Sequence, residues 1–200
     1  MFQRRLALSL SAFSLFALAF AATGVQAQQL PRKSPEFTIN MTGGKAPILL
    51  SSYKGKVIVL ATILTTCPHC QHTVTLLTKL QNELGPKGLQ VIACAAQESP
   101  ELAVPLFLKQ FNPPFQVGFT TDLKAVLDYY QYSPNNLPHM PMLAFIDRQF
   151  NIRAQHEGGE AAFFDEAQQE SNLRTQIETL LKDSGARKTV TKAATPKKGS

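Results

Sequence analysis

The chain has 200 residues, of which 44% are hydrophobic and 17% charged, enough to bury one ordinary core and too apolar for wholesale disorder. Three cysteines exclude a four-cysteine zinc site and a disulfide-framework miniprotein, and no apolar run beyond residue 30 is long enough to span a bilayer. Of the net charge of +6, residues 1–27 carry +2 and residues 182–200 carry +5, which leaves −1 on 28–181 and argues against a nucleic-acid partner.

Residues 1–27 read as a signal peptide. Arg4 and Arg5 precede an apolar stretch from Leu6 to Ala22, and Val25-Gln26-Ala27 offers small residues where a signal peptidase reads. Cleavage is expected after Ala27, with an uncleaved N-terminal membrane anchor as the alternative. Either reading places the body in the periplasm or another extracytoplasmic space, where disulfides persist. Residues 28–34 read as a linker, 35–183 as the folded domain and 184–200 as a disordered basic tail.

Glu36–Ile39 and Pro47–Leu50 flank Gly43-Gly44, the pattern of a short hairpin, and Ser51–Gly55 reads as a turn. Val57–Leu64 is a nearly continuous apolar run, the mark of a central buried strand. A helix is expected from Cys67 to Leu84, with Val74, Leu76, Leu77, Leu80 and Leu84 spaced three or four apart and Gly85, Pro86 and Gly88 ending it. Leu89–Ala96 is a strand, Pro100–Phe111 a helix and Phe115–Phe119 a strand. Asp122 caps a helix through Tyr130. Met142–Asp147 and Ile152–His156 are strands joined by a turn at Arg148–Asn151, and Asn172–Lys182 is a last helix. Phe163–Ser171 reads as an acidic, Gln-rich insertion before it. Strands alternating with helices make an α/β protein with a parallel core and an antiparallel pair at the end.

The chemistry concentrates in Cys67-Pro68-His69-Cys70, where the central strand gives way to a helix. Two cysteines at that spacing can close a disulfide with little distortion. The first lies beside unpaired N–H groups and the positive end of the helix, which favour its thiolate and should lower its pKa. Pro68 loses nothing in the first turn, and a protonated His69 would favour the thiolate further. A structural disulfide closes too small a loop to stabilise much. A zinc site lacks a second ligand pair. Gln71, not His, follows the second Cys, which excludes c-type haem attachment. A redox-active dithiol is the reading that remains strongest.

These residues resemble the thioredoxin-like superfamily, and within it the TlpA/ResA-like thiol-disulfide oxidoreductases, related to the AhpC/TSA redoxins. The resemblance covers about residues 35–182. It is carried by Ser34–Thr38, by Leu50–Val57, by Cys67–Cys70 and by Pro141–Asp147. It implies a thioredoxin fold, with a central mixed β-sheet flanked by helices and an N-terminal β-hairpin extension. It also implies a cis Met140–Pro141 bond facing the cysteines, in a loop that holds an extended substrate beside the attacking sulfur. Cys67, Cys70, Pro68, His69 and Pro141 are then the catalytic set, with Met140 and Thr66 touching substrate. Protein thiols and disulfides are the expected substrates, with a membrane or periplasmic redox partner for recycling and no cofactor, metal or nucleic acid.

The chain departs from the family at Thr66, where relatives carry Trp, and in having no acid on Val57–Leu64 or at Thr73 to relay protons. Pro-His is the dipeptide of the strong oxidant DsbA, which lies about 150 mV, or about 7 kcal/mol, from thioredoxin. One helix-end charge supplies about 1–2 kcal/mol, so the dipeptide alone does not set the direction. Two other activities are compatible with the superfamily. A peroxiredoxin-like peroxidase would want Pro and Thr where Leu60 and Leu64 stand. A copper-delivery protein would use Cys67 and Cys70 with His139 or Met140. Cys94, inside a strand, reads as a small buried hydrophobe, and His72 lies about 140° round the helix from Cys67.

Overall fold

The structure is a computed structural model that describes residues 29–183. The signal-like segment 1–27 and the basic tail 184–200 lie outside the described residues.

The elements follow the order β1 (Arg32–Lys33), β2 (Thr38–Ile39), β3 (Ile48–Leu49), β4 (Val57–Ile63), α1 (Pro68–Leu84), β5 (Leu89–Ala96), α2 (Pro100–Phe111), β6 (Gln116–Thr120), α3 (Leu123–Tyr130), β7 (Met142–Ile146), β8 (Asn151–Glu157), α4 (Ala161–Phe164) and α5 (Gln169–Lys182). A six-stranded sheet runs β1-β8-β7-β4-β5-β6, and β2 and β3 form a separate hairpin. β4 is parallel to β5, and β5 to β6, whereas β7, β8 and β1 add antiparallel strands on the other side of β4.

Every residue of β4 is buried because the sheet is covered on both faces. Val57, Val59, Ala61 and Ile63 meet α1, α2 and α5 on one face, with Cys70, Val74, Leu77, Val104 and Ile177. Ile58 and Leu60 meet α3 and the hairpin on the other, with Ile39, Leu50, Val126 and Tyr130. Tyr130 is fully buried beneath the sheet, and its hydroxyl reaches Thr62 Oγ1 and the carbonyls of Leu60 and Met142.

Three expectations change. Arg32–Lys33, placed in the linker, is an edge strand paired with Asn151 and Ile152. Its ordering comes from Arg32, whose guanidinium donates to the carbonyl of Tyr129 and to Gln155 Oε1, and from Ser34, whose hydroxyl meets that of Tyr129 at 2.9 Å. The Ser51–Gly55 turn is mostly one 3-10 turn at Leu50–Tyr53. The insertion at Phe163–Ser171 contributes the end of α4 and the start of α5, because Phe163 stacks on His156 and Gln169 is buried against α1.

At the other end of the sheet from Pro141, Arg148 Nη1 donates to the carbonyls of Leu180 and Leu181 at 3.2 and 3.0 Å, tying the last turn of α5 to the β7–β8 turn. Among the described residues no helix is long and apolar enough to cross a membrane.

Candidate active site

β4 ends at Ile63, and after a three-residue connection Cys67 takes an extended backbone (φ −76°, ψ 122°) as the N-cap of α1. Its carbonyl accepts the first helical bond from Gln71 N–H at 3.0 Å. Pro68 occupies the first helical position, where an N–H would have no partner in the helix. This geometry leaves the Cys67 side chain partly exposed and turns Cys70, one helical turn on, fully into the core.

Both cysteines are free thiols and their side chains touch. Burial pushes the Cys70 thiol far above its ordinary range. The Leu64 N–H, which donates to Cys70 Sγ at 3.4 Å, pulls it down, and the neighbouring Cys67 pushes it up again. Cys70 is therefore protonated at neutral pH, and its thiolate has one main-chain donor waiting for it. Around the pair, Thr65 is held from both sides. Its N–H donates to Gln97 Oε1 at 2.6 Å and its carbonyl accepts from Gln71 Nε2 at 2.9 Å.

Thr66, Pro68 and His69 are exposed beside Cys67. The Met140–Pro141 bond is cis. Thr62 pairs with Met142 in the β4–β7 ladder, so Pro141 comes to the same end of the sheet as the β4–α1 loop. Pro141 is buried and Met140 half-buried, and Met140 and Cys67 pack against the same core.

One turn along α1 from Cys70, the chain buries a neutral pair. The Thr73 hydroxyl donates to the His69 carbonyl at 2.8 Å and accepts from Gln169 Nε2 at 2.8 Å, with Gln169 only 2% exposed. Sequence reasoning missed Gln169 and Gln97, since neither carries a motif and both act through tertiary contact.

The remaining candidates separate from the dithiol. Cys94 lies in the core on the opposite face of the sheet from Cys70, and burial pushes its thiol up to about 12. His139 is exposed in the loop ahead of Pro141. His72 is half-buried on α1. Among the described residues no group of three or more His, Cys, Asp or Glu side chains is arranged to hold a metal ion.

The Redoxin family model matches residues 30–177. The thiol-disulfide oxidoreductase ResA of Halalkalibacterium halodurans is 30% identical over 112 residues, and the chain spans about 60% of the length of that relative. A Chlorobium tepidum structure of the DsbE thiol:disulfide interchange type superposes with a TM-score of 0.63 at 24% identity, covering 78% of this chain and 99% of that one. A secreted Mycobacterium tuberculosis disulfide oxidoreductase superposes with a TM-score of 0.56 at 20% identity, covering 72% and 96%. At these identities the two structures show the fold, which is a thioredoxin fold with an added N-terminal hairpin.

Proposed function

The chain belongs to the Redoxin family, and from that premise we propose that it is a thiol-disulfide oxidoreductase whose Cys67 and Cys70 exchange disulfides with polypeptide thiols outside the cytoplasm. One observation carries the reading. A partly exposed cysteine caps α1 while a fully buried one touches it from the first turn, so one sulfur can meet a partner and the other can only meet the first.

The exchange then runs in two steps. Cys67, as thiolate, attacks one sulfur of a partner disulfide, and the other partner sulfur leaves as a thiolate that takes up a proton. Cys70 gives up its proton and attacks the Cys67 sulfur, which releases the second partner thiol. The Cys67–Cys70 pair ends oxidised and the partner has gained two electrons. Run backwards, the same steps oxidise a dithiol. The Leu64 N–H stabilises Cys70 at the moment it becomes a thiolate.

Thr66 and Met140 form the surface that receives the partner chain, Pro141 acts with the dithiol, and Pro68 and His69 shape the approach to Cys67. A membrane or periplasmic redox partner recycles the pair. The signal-like residues 1–27 support the extracytoplasmic setting.

Equilibration against glutathione buffers, with alkylation and mass spectrometry, tests the reading. A single two-electron transition of Cys67 and Cys70, absent in Cys67→Ser and Cys70→Ser, is expected. Cys70→Ser should also accumulate a mixed disulfide at Cys67. A pair that stays reduced in every buffer would remove the oxidoreductase reading. The midpoint assigns direction: near that of thioredoxin the protein is a reductant, and near that of DsbA it is an oxidant.

A further inference from the structure

The segment that carries Met140 and Pro141 has no secondary structure of its own before β7 begins. Its backbone is held instead by the turn that follows β8. Glu157 Oε2 accepts from the His139 main-chain N–H at 2.7 Å and from the Gly159 N–H at 3.0 Å, and it lies 3.4 Å from His139 Nδ1. The Gly158 N–H donates to the His139 carbonyl at 2.9 Å. Both main-chain groups of His139 are thus taken by consecutive residues, 157 and 158.

The approach is as close as the backbone allows. A Cβ on Gly158 would lie 2.4 Å from the Met140 carbonyl oxygen, and one on Gly159 would lie 2.6 Å from Glu157 Oε1. At Gly158, where the atom met is main chain, only glycine fits without a shift. Glu157 is itself held in place, since its N–H donates to Glu160 Oε1 at 3.0 Å. Its side chain is 20% exposed, against 78% for His139, so the carboxylate is turned inward to the loop and the imidazole outward. N–H groups bound to a carboxylate are roughly twice as strong as neutral pairs, and a small misplacement of a substrate-positioning group is costly in rate.

We infer that Glu157 is a positioning residue: its carboxylate fixes the backbone at His139 and so sets how Met140 and Pro141 receive an extended polypeptide, without touching the reactivity of the dithiol. The inference rests on the proposed role of the 139–141 loop in holding substrate.

The test compares reduction of a disulfide-bonded peptide by the Cys67–Cys70 dithiol, which needs the loop, with reduction of the oxidised pair by dithiothreitol, which does not; dithiothreitol supplies the electrons for turnover in both. Wild type that exchanges with neither would remove the proposed function before Glu157 is reached. With wild type active, Glu157→Ala is expected to raise the peptide KM about tenfold while kcat, the dithiothreitol rate and the potential of the Cys67–Cys70 pair stay within twofold or within error. Glu157→Gln, whose amide oxygen accepts the same two N–H groups, should recover most of the loss. Should Glu157→Ala not fold, Glu157→Asp takes its place, because the shorter side chain keeps the charge but withdraws the acceptor from His139. A peptide KM within twofold of wild type overturns the inference. So does an equal fall in peptide and dithiothreitol rates, or a shifted potential, since either places the effect at the dithiol.

Discussion

The β7–β8 hairpin is tied at both ends by a carboxylate that collects main-chain N–H groups, and the two ties differ in depth and in partners. At the turn, Asp147 is 4% exposed and accepts from the N–H groups of Gln149 and Asn151, from the Asn151 side chain and from Arg153. At the mouth, Glu157 is shallower and pairs chiefly with backbone, facing a histidine rather than an arginine. A buried carboxylate beside a fixed positive charge is costly to disturb in any state of the protein. A shallow one on a loop can be lost with little damage to the fold. The hairpin thus has a structural end and, on the proposed reading, a working end.

Removing the structural tie should produce the largest change. Asp147→Ala leaves two main-chain donors and the Asn151 amide without their acceptor and Arg153 with Asp183 alone, and is expected to cost about 3 kcal/mol, a drop of about 6–12 °C in Tm by calorimetry. Peptide exchange at 25 °C should stay within twofold, and a fall in exchange would break the division. Burial alone would raise the Asp147 pKa, but the bonds from Asn151 and Arg153 outweigh it and hold it below the ordinary carboxylate value. Its stabilisation is therefore full above the unfolded pKa of about 4 and lost as pH falls through the lower folded value. Urea melts between pH 7 and 3 should show a decline at the acid end that is shallower in Asp147→Ala.

Gly158→Ala comes next. Its new methyl would meet the Met140 carbonyl, so the loop must shift, at about 1–2 kcal/mol of stability. Here the peptide KM should rise while Tm falls by only about 2–8 °C. A loss of stability with an unchanged KM would show that the mouth tolerates displacement. His139→Ala should do least. It removes an exposed ring but leaves the main-chain bonds of residue 139, so both KM and Tm are expected within about twofold and about 2 °C of wild type. A larger change in KM would move the working contact from the backbone to the imidazole.

The sequence made β4, β5 and α1 legible because the two strands are nearly continuous apolar runs and the helix repeats its apolar residues every three or four positions, and the position of Cys67-Pro68-His69-Cys70 followed from those elements. Arg32–Lys33 was not legible, because two charged residues on a sheet edge have no apolar pattern to betray them. The start of α5 was hidden for a related reason. Gln169 is a polar side chain buried by one contact to Thr73, and hydropathy assigns it to the surface. Glu157 was the hardest of all. Its value lies in bonds to His139, 18 residues away, which exist only once β7 and β8 are paired.

Arg148 closes the last turn of α5 at the pole of the sheet away from Pro141. Whatever is joined after Asp183 is consequently tethered at the far pole. Attachment to a bead, a sensor chip or a fused reporter beyond that residue therefore begins at the pole opposite Cys67.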